Sequence, residues 1–150
     1  MKKFFGYAIC LLFILSSCQS DTSKSENTPE EVVDENVYTQ VDEMPRFSGC
    51  EDKAKEKRAT CASSKMFNYI RANVQYPAAA KAEGTEGRAV VSFVVDKSGK
   101  IRDIEVVRDP GSGMGEEAVR LVKSFPNWIP GVHQGKKVNV QYIIPVTFKL

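Results

Sequence analysis

Seven apolar residues alternate down the end of the chain: Val138, Val140, Tyr142, Ile144, Val146, Phe148 and Leu150. Between them stand Asn139, Gln141, Ile143, Pro145, Thr147 and Lys149, most of them polar. A period of two held this long predicts a β-strand with one buried face and one largely solvated face. Pro145 has no N–H to give to a ladder, which predicts that Val138–Thr147 lies at the edge of a sheet. An open edge invites a further strand unless it is managed or used. The rest of the chain must therefore supply the sheet's other strands and a layer to cover its apolar face.

That supply is visible upstream. Ala89, Val91, Phe93 and Val95 alternate with Val90, Ser92 and Val94, so this strand is apolar on both faces and belongs in the middle of the sheet. Asp96-Lys97-Ser98-Gly99-Lys100 is a turn, and Ile101–Arg108 returns half-wet. Ser63 or Ser64 is placed to cap a helix carrying Met66, Phe67, Ile70 and Val74. Pro77 stops it and opens a short turn, Ala78–Glu83, closed by Gly84. A loop from Asp109 to Gly115 leads to a helix with Glu116 and Glu117 in its first turn and an apolar face of Ala118, Leu121, Val122 and Phe125. The order α-β-β-α-β predicts an α+β fold over residues 64–150. It would be a two-layer sandwich with a three-stranded antiparallel sheet packed on two helices.

The chain before residue 64 reads as three pieces. Lys2 and Lys3 precede an apolar run, Phe4–Leu15, too short at about 18 Å to span a bilayer core. Basic start, short apolar run and small residues describe an export signal over 1–17. Residues 18–44 are polar and acidic and read as a disordered tether. Residues 45–63 form a leader in which Cys50 and Cys61 enclose a polar loop. Two cysteines beyond an export signal read as a structural disulfide. A metal site or a redox pair would need other spacings.

Charge and composition narrow the function. The formal net charge is +2, from 21 Lys and Arg against 19 Asp and Glu, which argues against a nucleic-acid binder. One His, His133, excludes sites built on several imidazoles and leaves no dyad for an enzyme. The Gly111–Gly115 run lacks the G-K-[ST] of a phosphate loop, and two acids follow it. No cofactor and no metal are expected.

Two resemblances complete the picture. Leu15-Ser16-Ser17-Cys18 resembles a bacterial lipobox, which implies a lipid on Cys18. Tyr76-Pro77, Glu86-Gly87, Asp96-Lys97-Ser98-Gly99, Trp128-Ile129-Pro130-Gly131 and Pro145-Val146-Thr147-Phe148, in that order, resemble the C-terminal domain of the TonB family. Met44-Pro45-Arg46-Phe47-Ser48-Gly49-Cys50-Glu51 is similar to a leader found before such domains in some members. The family resemblance implies a role in TonB-dependent transmembrane transport. The domain would grip a short N-terminal peptide of an outer-membrane transporter by strand addition, with inner-membrane motor proteins as further partners. Carried over by position, the peptide site is Val138, Asn139, Val140, Gln141, Tyr142, Ile143 and Ile144, with Asn73 and Gln75 beside it. The same edge would also admit a second copy as a homodimer. The expected place is the cell envelope, lipid-anchored at the outer membrane facing the periplasm, since Gln19 is not an inner-membrane-retaining Asp. The competing reading is a structural or interaction lipoprotein with no part in energy transduction.

Overall fold

The computed structural model describes residues 36–150; the expected export signal, Cys18 and the expected tether up to residue 35 lie outside them. In chain order the elements are β1 (Val37–Tyr38), α1 (Lys55–Asn73), α2 (Ala78–Glu83), β2 (Gly87–Val95), β3 (Ile101–Arg108), α3 (Met114–Lys123), β4 (Gly131–His133) and β5 (Lys136–Phe148). The class is α+β, as the pattern predicts. Among the described residues the sheet has five strands rather than three, in the order β1-β5-β2-β3, with β4 paired to β5.

β2 is central, as its two apolar faces require. It pairs antiparallel with β3 on one side and with β5 on the other, the latter from Gly87–Phe148 to Val95–Val140. Ala89, Val91, Phe93 and Val95 meet Val140, Ile144, Val146 and Phe148 in the core, all nearly inaccessible to solvent. Met114, Ala118, Leu121 and Val122 of α3 and Ala62, Met66 and Ile70 of α1 close that face. The β2–β3 turn is organised by the Asp96 carboxylate, which accepts hydrogen bonds from the Ser98 N–H at 2.7 Å, the Ser98 hydroxyl at 2.6 Å and the Lys100 N–H at 2.9 Å.

Three expectations need correction. First, α1 starts at Lys55, not at a Ser63 or Ser64 cap, and both serines sit exposed inside it. Lys55-Glu56-Lys57-Arg58-Ala59 are good helix formers whose polar side chains hid the period. The buried stripe is Ala62, Met66 and Ile70 at i, i+4, i+8, while Phe67 is left 47% exposed. Cys61 is thus a helical residue, and its disulfide to Cys50 ties the leader to α1 across a Cα separation of 6.1 Å.

Second, the tether does not run to residue 44. Val37 and Tyr38 pair parallel with Asn139 and Val140. Glu43 and Val132 exchange backbone hydrogen bonds at 3.0 and 2.9 Å, and Arg46 and Ile129 do so at 3.0 and 2.8 Å. Phe47, 7% exposed, enters an aromatic cluster with Tyr69, Phe125 and Trp128 at centroid distances of 5.6, 5.6 and 5.8 Å. The leader is part of the core, not an appendage.

Third, the outer side of the last strand is partly covered, by β1, while β4 continues the side that β2 pairs. Lys136, Lys137 and Val138 pair with His133, Val132 and Gly131 through a two-residue turn at Gln134 and Gly135, both with positive φ. Asn139 and Val140 pair with β1. The edge predicted for Val138–Thr147 is therefore open only beyond Gln141.

Candidate functional site

The sheet has two edges, and they differ in kind. β3 is exposed along its length and irregular. Asp103 has φ 51°, and the pairing with β2 shifts register between Val90 and Val91 and again between Ser92 and Val94. Such bulges twist an edge away from further pairing. From Tyr142 to Phe148, β5 is regular, and no strand among the described residues pairs its outer side.

Pro145 fixes which backbone groups face outward. Neighbouring residues of a strand send their N–H groups to opposite sides. The β2–β5 ladder passes Pro145, opposite Val90, without a register break. A residue with no N–H leaves that ladder whole only if its nitrogen lies on the outer side. The same parity turns the N–H groups of Gln141, Ile143 and Thr147 outward, that of Gln141 toward the Tyr38 carbonyl, as the parallel Tyr38–Val140 pairing requires. Side chains follow the alternation too. Ile144, Val146 and Phe148 point into the core, whereas Ile143, Pro145 and Thr147 are exposed, Ile143 at 55%.

The other predicted site residues fall in different places. Asn139 Oδ1 accepts from the Lys97 N–H at 3.3 Å, so this side chain supports the turn before β3. Gln141 Nε2 donates to Ser92 Oγ at 2.9 Å. Tyr142 packs its ring 5.0 Å from Trp128 and 5.9 Å from Phe93, and burial pushes its hydroxyl above the usual tyrosine range.

Asn73 and Gln75 face α3. The Gln75 N–H donates to Glu117 Oε1 at 2.7 Å, and Arg120 donates to the Asn73 carbonyl at 2.8 Å. Their link to β5 comes one residue later, at Tyr76, whose ring lies 5.9 Å from Phe148 and whose hydroxyl donates to the Thr85 carbonyl at 2.6 Å. The structure thus sets Gln75 near the far end of β5 and not beside Val138–Ile144.

Sequence reasoning missed Glu117. It stands in the first turn of α3, as expected, but it is nearly buried and also accepts two hydrogen bonds from Arg120, at 2.6 and 2.8 Å. Burial acts to raise its carboxyl, but the hydrogen bonds from Arg120 and the Gln75 N–H outweigh burial and hold it below the usual range. The Glu117/Arg120 spacing of i, i+3 was the available signal.

The family motif positions hold the frame. Pro77 precedes α2, and Gly87 opens β2 opposite Phe148. Gly99 and Trp128 are joined by a hydrogen bond from the Trp128 N–H to the Gly99 carbonyl at 2.8 Å. Pro130 and Gly131 turn the chain into β4. His133 sits half-buried in β4, its Nδ1 3.5 Å from an Asp42 carboxylate oxygen. Among the described residues no group of three His, Cys, Asp or Glu is placed to hold a metal ion. Nor is any helix among them long and apolar enough to cross a membrane.

Comparison with known proteins bears on the same region. The profile of the family described as Gram-negative bacterial TonB protein C-terminal matches residues 72–150. Among solved structures the chain is similar to two solution structures of the Helicobacter pylori TonB C-terminal domain. One is 25% identical with a TM-score of 0.47, covering 67% of this chain and 86% of that one. The other is 26% identical with a TM-score of 0.43, covering 58% and 91%. The Pseudomonas aeruginosa TonB C-terminal domain is 32% identical with a TM-score of 0.38, covering 51% and 77%. No curated protein matches. Residues 72–150 take in Tyr76-Pro77, Gly87, Gly99, the Trp128–Gly131 corner and all of β5, and the chain belongs to the family of Gram-negative bacterial TonB protein C-terminal domains.

Proposed function

We propose that this domain binds a short extended peptide from the periplasmic N-terminus of a TonB-dependent outer-membrane transporter, added as a strand to the outer edge of β5. The observation that supports it is the contrast between the two edges. β3 is bulged, while β5 beyond its pairing with β1 is regular and has outward N–H groups without a strand partner at Ile143 and Thr147. Backbone pairing gives such a site affinity with little sequence demand. The site is shorter than the stretch from Val138 that the last strand's pattern suggests, because β1 pairs with Asn139 and Val140 on the outer side.

Ile143→Pro tests this. Parity places its nitrogen on the outer side, where Pro145 is already accommodated, so the β2 ladder survives and the partner loses a donor. Peptide binding falls by about tenfold or more, a hydrogen bond's worth plus the blocked approach, while the far-UV spectrum is unchanged. Undiminished binding by a folded Ile143→Pro protein refutes strand addition at this edge.

We also propose that Cys18, in Leu15-Ser16-Ser17-Cys18, carries a lipid that holds the chain at the outer membrane facing the periplasm. Intact-mass analysis of the mature protein showing a free Cys18 refutes the anchor and leaves the peptide site untouched.

A further inference from the structure

Beside the open edge, the leader and α1 enclose a groove of about 270 Å³, lined by Phe47, Ala59, Ala62 and Met66 together with Trp128 and Tyr142. The first four of these precede residue 72, so they lie outside the stretch that defines the family match. The rim carries two acids, Asp42 and Glu43, and two bases, Arg46 and Lys55, so its formal charge is zero. Glu43 meets Arg46 at 3.3 Å and Lys55 at 2.9 Å. A rim with no net charge gives an ionic group little net attraction, and walls of aromatic rings, methyls and a thioether favour an apolar one.

Tyr142 belongs to both the groove and the edge strand. Its ring contacts with Trp128 and Phe93 put it on the helix-covered face of the sheet. Side chains directly opposite each other on paired strands share a face, their Cβ atoms about 5 Å apart. A partner residue facing Tyr142 therefore projects toward α1, at the groove's mouth.

We propose that this groove is the anchor pocket of the strand-addition site and takes one bulky apolar side chain of the partner strand, at the position facing Tyr142. The inference rests on the strand-addition reading and adds a specificity to it. The backbone supplies pairing without sequence demand, and the groove supplies a preference for Leu-like over small residues at one position. Because its wall is the leader cross-linked through Cys50–Cys61 to α1, the preference is a property of this chain's leader.

The test uses capped seven-residue peptides of alternating Thr and Val with Leu or Ala at the centre, titrated into the protein and into Ala59→Phe. Ala59 is exposed on α1 and lines the groove, so Phe there fills the groove without entering the core. Ser63→Phe, also exposed and lining the groove, is the second variant if the first does not fold. The Leu peptide binds the wild type about tenfold more tightly than the Ala peptide, as burial of the extra methylenes implies. The filled-groove variant loses that gap, and amide shifts along residues 141–147 persist with both peptides. Equal binding of the two peptides to the wild type, with shifts along 141–147, overturns the pocket and leaves strand addition standing. Shifts absent from 141–147 with every peptide overturn both, as does a stable dimer that occupies the edge in place of peptide.

Discussion

Replacing Gly99 by Ala should be among the most damaging single-methyl changes in this domain. Gly99 has φ 84°, and a Cβ there would sit 2.0 Å from the Trp128 carbonyl oxygen and 3.0 Å from its carbon. The left-handed backbone alone costs an L-residue about 1–2 kcal/mol. The Trp128 carbonyl must also retreat by about 1 Å to reach a contact real Cβ atoms make. That retreat strains the hydrogen bond from the Trp128 N–H to the Gly99 carbonyl, 2.8 Å, worth about 1 kcal/mol. It also shifts the Trp128 ring against Phe47, Phe93 and Tyr142, where each aromatic pair contributes about 0.5–1.5 kcal/mol. Together these give about 3–4 kcal/mol. Gly84 is the control. Its φ is 65°, but a Cβ there meets nothing within 4 Å, so Gly84→Ala costs only about 1 kcal/mol. Urea unfolding followed by tryptophan fluorescence reads both, and Trp128 is the single Trp. Equal losses in the two variants refute the close approach of hairpin and corner as the reason for Gly99.

Phe47→Ala should cost about 3 kcal/mol, because the ring is buried among Tyr69, Phe125 and Trp128; a loss under about 1 kcal/mol, by the same unfolding assay, contradicts a leader built into the core. Reducing Cys50–Cys61, which closes a sequence separation of 11, should cost about 2.5 kcal/mol. Hydrogen exchange should then quicken over residues 45–63 while β2 and β5 stay protected, and uniform loss of protection contradicts this. Glu117 is held below its ordinary range in the folded state, so its contribution is complete above about pH 4.3 and is lost as pH falls through the folded value. Glu117→Gln should therefore flatten the acid side of a plot of urea midpoint against pH, and an unchanged slope below pH 4.5 argues against that role.

What the residues showed and what they hid follows from how each signal is written. β2 and β5 were legible because burial on a sheet repeats every two residues, and their apolar sets are long. α3 was legible from its i, i+3, i+4, i+7 face, and the disulfide from two cysteines in a leader. The first half of α1 was hidden because its solvated turns carry Lys, Glu and Arg and its one buried residue there, Ala62, is small. β1 was hidden because two residues carry no period, and its pairing with Asn139 and Val140 is a tertiary fact. That missed strand is why the open edge predicted from Val138 starts too early and is free only beyond Gln141. Pro145 predicts a sheet edge for the whole strand, and its nitrogen does face away from β2, but β1 pairs the start of that side. Asn73 and Gln75 were carried over by family position, and the structure binds them to Glu117 and Arg120 of α3.

The most direct measurement is an amide chemical-shift titration of the labelled protein with a synthetic peptide copied from a transporter's periplasmic N-terminus. Strand addition predicts saturable shifts concentrated at Gln141–Thr147, largest at the outward amides of Ile143 and Thr147, with β3 unmoved. Shifts confined to the Gly111–Gly115 loop or to Ile101–Arg108, with none along β5, contradict it.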